Sequence, residues 1–171
     1  MDFDVRIASI SEIQERWNYE IKNHPKDSRW VIWRDVAINN VKEGNRLCFY
    51  GFLDNEIIAE GTAVISKHDT GLENKEFVSS VSAYLEAFRV NKEHRGKGYF
   101  SKLYQFMEKY LQSSGFKKLI LGVEPVEIKN MEIYKHLGFD TFLVEKIEKY
   151  PPKQDGEECE EYLVHYYLKE I

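Results

Sequence analysis

The sequence has no long hydrophobic run and only two cysteines, and both shortages exclude classes of protein. No apolar stretch approaches the roughly 20 residues that a membrane-spanning helix needs. Residues 1–10 also lack the basic start and the apolar run of a signal peptide, so we expect a cytoplasmic protein without a membrane partner. Cys48 and Cys159 have no metal-ligand spacing around them, so neither a bound metal nor a disulfide framework is expected.

Segments rich in proline, glycine or serine are also absent, and nothing in the sequence marks a linker or an internal repeat. The hydrophobic fraction of 43% and the aromatic fraction of 14% are far from the depleted composition of a disordered chain. A domain of about this size buries roughly two-thirds of the surface that its unfolded chain exposes. We therefore expect one globular domain over residues 1–171.

The chain is acidic overall but carries one cationic segment. Its formal net charge is -5, yet residues 89–102 hold five cations against Glu93 alone, so this segment is +4 and the remainder is -9. The overall charge argues against a nucleic-acid partner. Charge alone does not separate a cationic binding patch from an ordinary solvated face.

Hydrophobic periodicity predicts four helices and six strands. The segments with helical spacing or helical caps are 9–25, 28–44, 99–115 and 127–137. The segments with strand composition are 46–53, 56–66, 78–90, 117–123, 140–148 and 160–171. This order predicts a mixed α/β domain with one right-handed crossover.

The turn before the third helix does not fit two well-known phosphate-binding motifs. A Walker loop would need glycine at Asn91 and Ser or Thr at Gly98. A dinucleotide fingerprint would need a third glycine at Ser101 and a turn that follows its strand at once. The Walker loop is excluded. A dinucleotide-binding site, in which Glu124 would be the acidic residue that binds the ribose hydroxyl groups, remains an alternative.

The same turn nevertheless has the properties of an anion site. Gly96 and Gly98 let the backbone adopt conformations that other residues disfavour, and they leave its N–H groups accessible. These N–H groups lie at the start of a helix that is predicted to begin near Tyr99, so the positive end of the helix dipole faces the same anion. Arg95 and Lys97 add mobile positive charge. A diphosphate is the expected ligand.

Two segments in the expected order resemble the GNAT superfamily of acyl-CoA-dependent N-acetyltransferases. "AYLEAFRVNKEHRGKGYFSKL" resembles that family's central strand, R-G-x-G turn and helix, and "LILGVEPVEIKNMEIYKHLGF" resembles its next strand and helix, ending in Y-x-x-x-G-F. The resemblance implies a central mixed β-sheet flanked by helices, in which two splayed parallel strands form the cleft for acetyl-CoA.

The resemblance also implies which residues hold the acetyl-CoA. Backbone groups of Phe88, Arg89 and Val90 would pair with the pantetheine arm. The pyrophosphate would be held by the turn and the first helical residues: Arg95, Gly96, Lys97, Gly98, Tyr99, Phe100 and Ser101. Three positions depart from the family pattern: Glu93 replaces a Gln or Arg, Phe100 a smaller residue, and Glu127 the Asn that usually contacts pantetheine. Asn130, four residues before Tyr134, is then the remaining amide for that contact.

Tyr134 matches the family's helix tyrosine, which implies a place near the sulfur of acetyl-CoA. A phenol with a pKa near 10 stays protonated at neutral pH, so it can donate a proton to the thiolate that leaves. The alternative is a packing tyrosine, one of 11 in the chain.

Glu86 is the candidate base, because the amine must lose a proton before or during its attack. It lies in the strand that resembles the family's cofactor strand, and it would act through one or two waters. The alternatives are a solvent-facing residue or an ion-pair partner. His94 is a lesser candidate at the edge of the phosphate turn.

We therefore expect an enzyme that transfers acetyl from acetyl-CoA to a small-molecule or peptide amine by direct attack in a ternary complex, as a monomer or homodimer. Neither motif segment contains cysteine, which disfavours an acyl-cysteine intermediate. Acidic side chains would suit a cationic acceptor; the candidates are Glu56, Glu60, Glu73, Glu76 and the run 156–161. A non-catalytic acyl-CoA-binding or sensing domain remains a further alternative.

Overall fold

The computed structural model describes residues 2–171 as a seven-stranded mixed sheet with four helices. The strands are β1 (Phe3–Ile7), β2 (Arg46–Leu53), β3 (Glu56–Val64), β4 (Ser82–Val90), β5 (Lys118–Val123), β6 (Thr141–Tyr150) and β7 (Glu160–Glu170). The helices are α1 (Ile10–Asn23), α2 (Arg29–Lys42), α3 (Tyr99–Ser113) and α4 (Ile128–His136). Within residues 2–171 no helix is long and apolar enough to cross a membrane.

The sheet has the strand order β1-β2-β3-β4-β5-β7-β6. All neighbouring strands are antiparallel except β4 and β5, which run parallel and are joined by α3. Parallel neighbours need a crossover of this kind, whereas β2 and β3 need only the two-residue turn Asp54–Asn55. The predicted mixed α/β fold and its hairpin are therefore confirmed.

Helices cover both faces of the sheet. On one face, α3 contributes Leu103, Met107 and Leu111 to a core that also contains Leu85 and Leu121 of the two parallel strands. On the other face, α1 and α2 form a second core against β2 and β3, with residues such as Ile13, Trp17, Trp30, Cys48 and Tyr50. The two faces of the sheet are therefore covered by differently built layers, and beside β4 and β5 the second face is packed by Phe77, Tyr84 and Tyr166.

Strand β1 is not predicted from the sequence. Its five residues alternate between apolar and charged side chains, but so short a run gives a weak strand signal without its partner. The structure shows why it forms: Phe3–Ile7 pairs along the whole of its length with β2. A Cβ at Gly51 would meet the Phe3 ring at 2.7 Å, so the glycine lets this ring lie directly over the neighbouring strand.

Candidate active site

The two parallel strands separate at their carboxyl ends. They are paired from Ser82 with Lys118 to Leu85 with Leu121, and no pairing between them follows within residues 2–171. Strand β4 nevertheless continues for five more residues to Val90. Its backbone groups on the β5 side are therefore free to bind another extended chain, which is the cleft that the sequence resemblance implies.

A bulge in β4 decides which side chains face the cleft. Thr62 of β3 lies opposite Glu86, and Glu60 lies opposite Arg89, so β4 has one residue more than β3 in this stretch. Ala87 takes up the extra residue with φ 58°, in the left-handed region that non-glycine residues rarely occupy. Strain of this kind persists only where the surrounding structure imposes it, and it is common at functional sites.

The bulge changes the alternation of side chains along β4. Leu85 and Phe88 are three residues apart, yet both pack on the α3 side of the sheet. Glu86 contacts Arg46, and Arg89 contacts Glu60, both on the α1–α2 side. A regular strand would place residues three apart on opposite faces. The bulge therefore provides an aromatic surface on one face and a carboxylate on the other.

The turn that follows β4 leaves its glycines open. Gly96 and Gly98 have φ values of +73° and +81°, and a Cβ added at either would meet nothing within 4 Å. Gly98 directly precedes α3, a helix of 15 residues whose first N–H groups have no intrahelical partners. Lys97 and Ser101 are exposed beside them. These groups fit the anion site that is predicted for the pyrophosphate of acetyl-CoA.

Arg95 and Arg89 differ in their relation to this turn. The Arg95 Nε donates a hydrogen bond to the Val90 carbonyl oxygen at 2.9 Å, so its side chain folds back over the end of β4. The Arg89 guanidinium lies on the opposite face, 4.8 Å from the Trp30 ring centroid and 2.8 Å from the Glu60 carboxylate. The prediction that residues 89–102 form one cationic segment is therefore wrong for Arg89, whose side chain lies away from the turn. Without it, residues 92–102 carry a net charge of +3.

Phe88, Phe100 and Tyr134 form an aromatic cluster on the α3 side of the cleft. The Phe88 and Phe100 ring centroids are 5.3 Å apart in an edge-to-face arrangement, and those of Phe88 and Tyr134 are 6.1 Å apart. Phe100 thus packs inward on the core and does not project into the turn. Tyr99 instead contacts Phe3, with ring centroids 4.6 Å apart.

Tyr134 is held on α4, the helix that follows β5. It is half-buried, and burial, with a smaller effect of the Glu127 carboxylate, raises its pKa to about 12. Its phenol is therefore protonated throughout the neutral range. Asn130 lies four residues earlier on the same helix, so the two side chains share one face, and Asn130 is also half-buried.

Glu86 lies next to the bulge and faces a charged cluster that is not predicted from the sequence. Its carboxylate is 3.2 Å from Arg46 Nη1, and its side chain remains 34% exposed. Arg46 is also held by the two oxygens of Asp69, at 2.6 and 2.5 Å, and Asp69 is fully buried. Burial raises the pKa of Glu86, the Arg46 charge opposes this, and the Asp69 charge adds to it.

Further carboxylates lie on the same side of the sheet as Glu86. Burial raises the pKa of Tyr150 to about 12, and four carboxylates contribute to that rise through their charge: Glu148, Glu86, Glu73 and Glu124. The charges of all four carboxylates therefore reach this phenol, while Glu148 itself is hydrogen-bonded to Tyr166 and Glu86 is paired with Arg46. Of the predicted acceptor residues, Glu73 belongs to this group, whereas Glu60 is 2% exposed and is paired with Arg16 and Arg89.

The loop between β6 and β7 closes this side of the molecule. The carbonyl oxygen of Lys153 accepts hydrogen bonds from the Ser28 backbone N–H at 2.9 Å and from its Oγ at 2.8 Å. Glu160 lies 3.0 Å from Arg29 and 3.1 Å from Lys153. The acidic run at 156–161 thus has a structural role at its Glu160 end, because that carboxylate ties the loop to the start of α2.

Sequence comparison connects this geometry to a known family. The model of the Acetyltransferase (GNAT) family matches residues 7–139, which include the separated strands, the glycine turn and Tyr134. The chain belongs to the GNAT acetyltransferase family. Membership makes the protein an acyltransferase with acetyl-CoA as co-substrate, and it favours this co-substrate over the dinucleotide alternative. No curated protein sequence matches the chain significantly.

Solved structures of other proteins share the GNAT fold. A ribosomal L7/L12 α-N-protein acetyltransferase in complex with coenzyme A has a TM-score of 0.67 and 14% identity, covering 99% of this chain and 94% of that one. The ribosomal-protein-S18-alanine N-acetyltransferase from Escherichia coli has a TM-score of 0.66 and 15% identity, and the match covers 99% of this chain and 94% of that one. A protein from Salmonella typhimurium, solved with its cofactor acetyl-CoA, has a TM-score of 0.63 and 13% identity. That match covers 99% of this chain and 94% of the other. At sequence identities this low, the structural similarity shows that the proteins share a fold and nothing more.

Proposed function

We propose that this chain is a single N-acetyltransferase domain over residues 1–171, which transfers acetyl from acetyl-CoA to a primary amine by direct attack in a ternary complex. One observation carries the proposal. The gap beyond Leu85 and Leu121 has a protonated phenol, Tyr134, on the α3 side of the sheet and a carboxylate, Glu86, on the other. A thioester placed in that gap would lie between a proton donor and a proton acceptor.

The proposed donor site begins with backbone groups. Phe88, Arg89 and Val90 would present the unpaired N–H and C=O groups of β4 to the pantetheine arm, and Asn130 would add a side-chain amide from α4. The pyrophosphate would bind the helix start and its cations, formed by Arg95, Gly96, Lys97, Gly98, Tyr99, Phe100 and Ser101. In this set Phe100 contributes its backbone N–H, because its ring packs on Phe88.

The proposed role of Tyr134 is that of a general acid. The thiol formed from the leaving group has a pKa of about 8.5, whereas the phenol has a pKa of about 12 and is therefore protonated before the reaction. The phenol can then stabilise the developing thiolate by donating a hydrogen bond to the sulfur, with the proton following as charge builds up. Donation by Tyr134 would make the thiol the better leaving group, which favours its expulsion from the tetrahedral intermediate over expulsion of the amine.

The proposed role of Glu86 is that of a general base. An alkyl ammonium must lose a proton to become a nucleophile, and a carboxylate with a raised pKa accepts a proton better than an ordinary one. Glu86 would act through one or two waters. Direct attack also agrees with the cysteines: burial raises the pKa of Cys48 to about 12, which makes it a poor nucleophile.

The proposed acceptor is a cationic amine of a small molecule or a peptide. Glu73, Glu86, Glu124 and Glu148 around Tyr150 would attract positive charge to the acceptor side. Two of the relatives in the comparison are named as acetyltransferases of ribosomal proteins, which supports including peptide amines among the candidates. We propose a cytoplasmic enzyme that acts on such amines without a nucleic-acid or membrane partner, as a monomer or homodimer.

A thiol-release assay tests this function. The purified protein with acetyl-CoA is screened against polyamines, aminoglycosides, amino acids and peptides with free N-termini, and free CoA thiol is measured. Release that depends on one class of amine is the expected result. Binding of acetyl-CoA without release for any amine would instead indicate the non-catalytic acyl-CoA-binding alternative, which Glu127 in place of the usual Asn favours.

A further inference from the structure

Strand β6 is a long edge strand with a free side. It lies at the end of the sheet and pairs only with β7 among the strands of residues 2–171. Its register with β7 is unbroken from Val144 to Tyr150, between an irregularity at Leu143 and the prolines that follow Tyr150. These seven residues present unpaired backbone groups to another strand, which is the usual starting point for edge-to-edge association.

The sequence of this segment is complementary to itself when it is reversed. It reads Val-Glu-Lys-Ile-Glu-Lys-Tyr, with Ile147 at its centre. We infer that β6 pairs antiparallel with β6 of a second copy of this chain, about a twofold axis through Ile147. Each residue then faces one on the same side of the combined sheet. The opposed pairs are Lys146 with Glu148, Glu145 with Lys149, and Val144 with Tyr150, each occurring twice.

The charge pattern selects this register over its neighbours. A twofold axis perpendicular to the sheet must pass through a residue position, because opposed side chains share a face. Moving the axis by one residue would place Lys146 opposite Lys146 of the partner subunit, or Glu148 opposite Glu148 of the partner subunit. Like charges directly opposite each other destabilise a strand pair. Because Lys146 and Glu148 are already bonded within their own subunit, the register depends mainly on the exposed residues Glu145 and Lys149. Of these three axes, only the one through Ile147 places Glu145 and Lys149 opposite each other.

Exposed apolar side chains support the same axis. Ile147 is 64% exposed, and Leu163, opposite it on β7, is 42% exposed. In the inferred dimer, Ile147 packs on Ile147 of the partner subunit, so the two isoleucines and two leucines form one apolar strip across the interface. Burial of this strip adds a hydrophobic contribution to the backbone hydrogen bonds.

All four charged residues of the segment also have contacts within the protomer. Lys146 contacts Glu76 and Asn74. Glu148, which is 9% exposed, accepts hydrogen bonds from Tyr166 and Asn74. The ion pairs that are new in the dimer are therefore those between Glu145 and Lys149.

Glu145 lies 2.6 Å from the His165 ring, and Lys149 lies 3.3 Å from Glu161. Both Glu145 and Lys149 remain largely exposed, with 54% and 73% of their side-chain surfaces accessible. Exposed pairs of this kind contribute little stability, so both residues can be substituted without loss of the fold.

Charge exchange at these two positions tests the dimer. Glu145→Lys places lysine opposite Lys149 of the partner subunit, and Lys149→Glu places glutamate opposite Glu145 of the partner subunit. We expect the wild type to show a concentration-dependent dimer in sedimentation velocity, and each variant to dimerise at least about tenfold more weakly. An equimolar mixture of the two variants should regain dimers, because the heterodimer pairs opposite charges at both positions.

Matched controls separate this register from net charge. Glu15→Lys on α1 and Lys109→Glu on α3 make the same changes of charge at exposed positions, and both should dimerise like the wild type. A wild type that remains monomeric at the highest soluble concentrations would overturn the inference and leave the edge to solvent or to a different protein. Dimerisation that is unchanged in both β6 variants would overturn it in favour of another interface.

Discussion

Tyr134 and Glu86 lie on opposite faces of the sheet, beside the same gap between two strands. Their environments differ in a way that suits proton transfer in opposite directions. Burial holds the Tyr134 phenol in its protonated form, and it raises the pKa of the Glu86 carboxyl, which makes its carboxylate a better base. The proposed acid and the proposed base therefore belong to different elements, α4 and β4.

Replacing Tyr134 with Phe tests the acid. The phenylalanine keeps the ring contact with Phe88 and removes only the proton donor. We expect kcat to fall by about 100-fold or more, with little change in the affinity for acetyl-CoA. Steady-state kinetics and calorimetric titration measure the two quantities. Tyr110→Phe, on the exposed side of α3, is the control and should change neither. An unchanged rate in Tyr134→Phe would make Tyr134 a packing residue.

Glu86 is tested through pH. The base must be ionised, so the rate falls as the pH drops through the pKa of Glu86, and burial places that pKa above the ordinary glutamate value. Glu86→Gln should lower kcat by about 100-fold at neutral pH and abolish the acid limb of the pH–rate profile. Glu15→Gln should keep the wild-type profile. A Glu86→Gln enzyme with an unchanged acid limb would assign that limb to another group.

At the scale of elements, the bulged end of β4 and the glycine turn before α3 build the site. The sequence predicts the strand, the turn and the helix, because apolar runs and glycines are local signals. It does not predict the bulge at Ala87, which depends on the register with β3, nor the Arg46–Asp69 pair behind Glu86, which joins residues far apart in the chain. It also gives too weak a signal for β1, whose formation depends on pairing with β2.

Alanine at Gly98 tests the turn against a matched glycine elsewhere. Gly98 and Gly44 have φ values of +81° and +75°, and both have open space where a Cβ would lie. Each alanine variant should therefore lose about 1–2 kcal/mol of stability through backbone strain. Only Gly98→Ala should also weaken acetyl-CoA binding, by at least about tenfold, because it disturbs the N–H groups at the start of α3. Equal affinities in the two variants would contradict a phosphate site at this turn.

At the scale of the whole molecule, buried ion pairs join α1 to the sheet next to the site. Arg16 is 3% exposed and contacts Glu20 at 2.8 Å, Glu60 at 3.0 Å and Asn91 at 2.6 Å. Glu60 in turn binds Arg89 at the end of β4. The family resemblance anticipates the fold and the order of the motifs, but this network is visible only once residues 16, 60, 89 and 91 are brought together.

Loss of Arg16 should destabilise the whole domain. Arg16→Met removes the cation and leaves Glu20 buried without its partner, and breaking a buried pair in this way costs about 3–5 kcal/mol. Urea denaturation measures the change. Arg34→Met removes a partly exposed ion pair with Asp35 and should cost less than about 1 kcal/mol. Similar losses in the two variants would show that the buried network has no special part in stability.

Calorimetric titration of the purified protein with acetyl-CoA, with NAD and GTP as control ligands, measures whether the cleft binds acetyl-CoA. We expect acetyl-CoA alone to bind, at one site per chain, because the separated strands and the turn at 95–101 would form one continuous site for it. Absence of heat with acetyl-CoA, or equal binding of NAD, would contradict the assignment of the cleft.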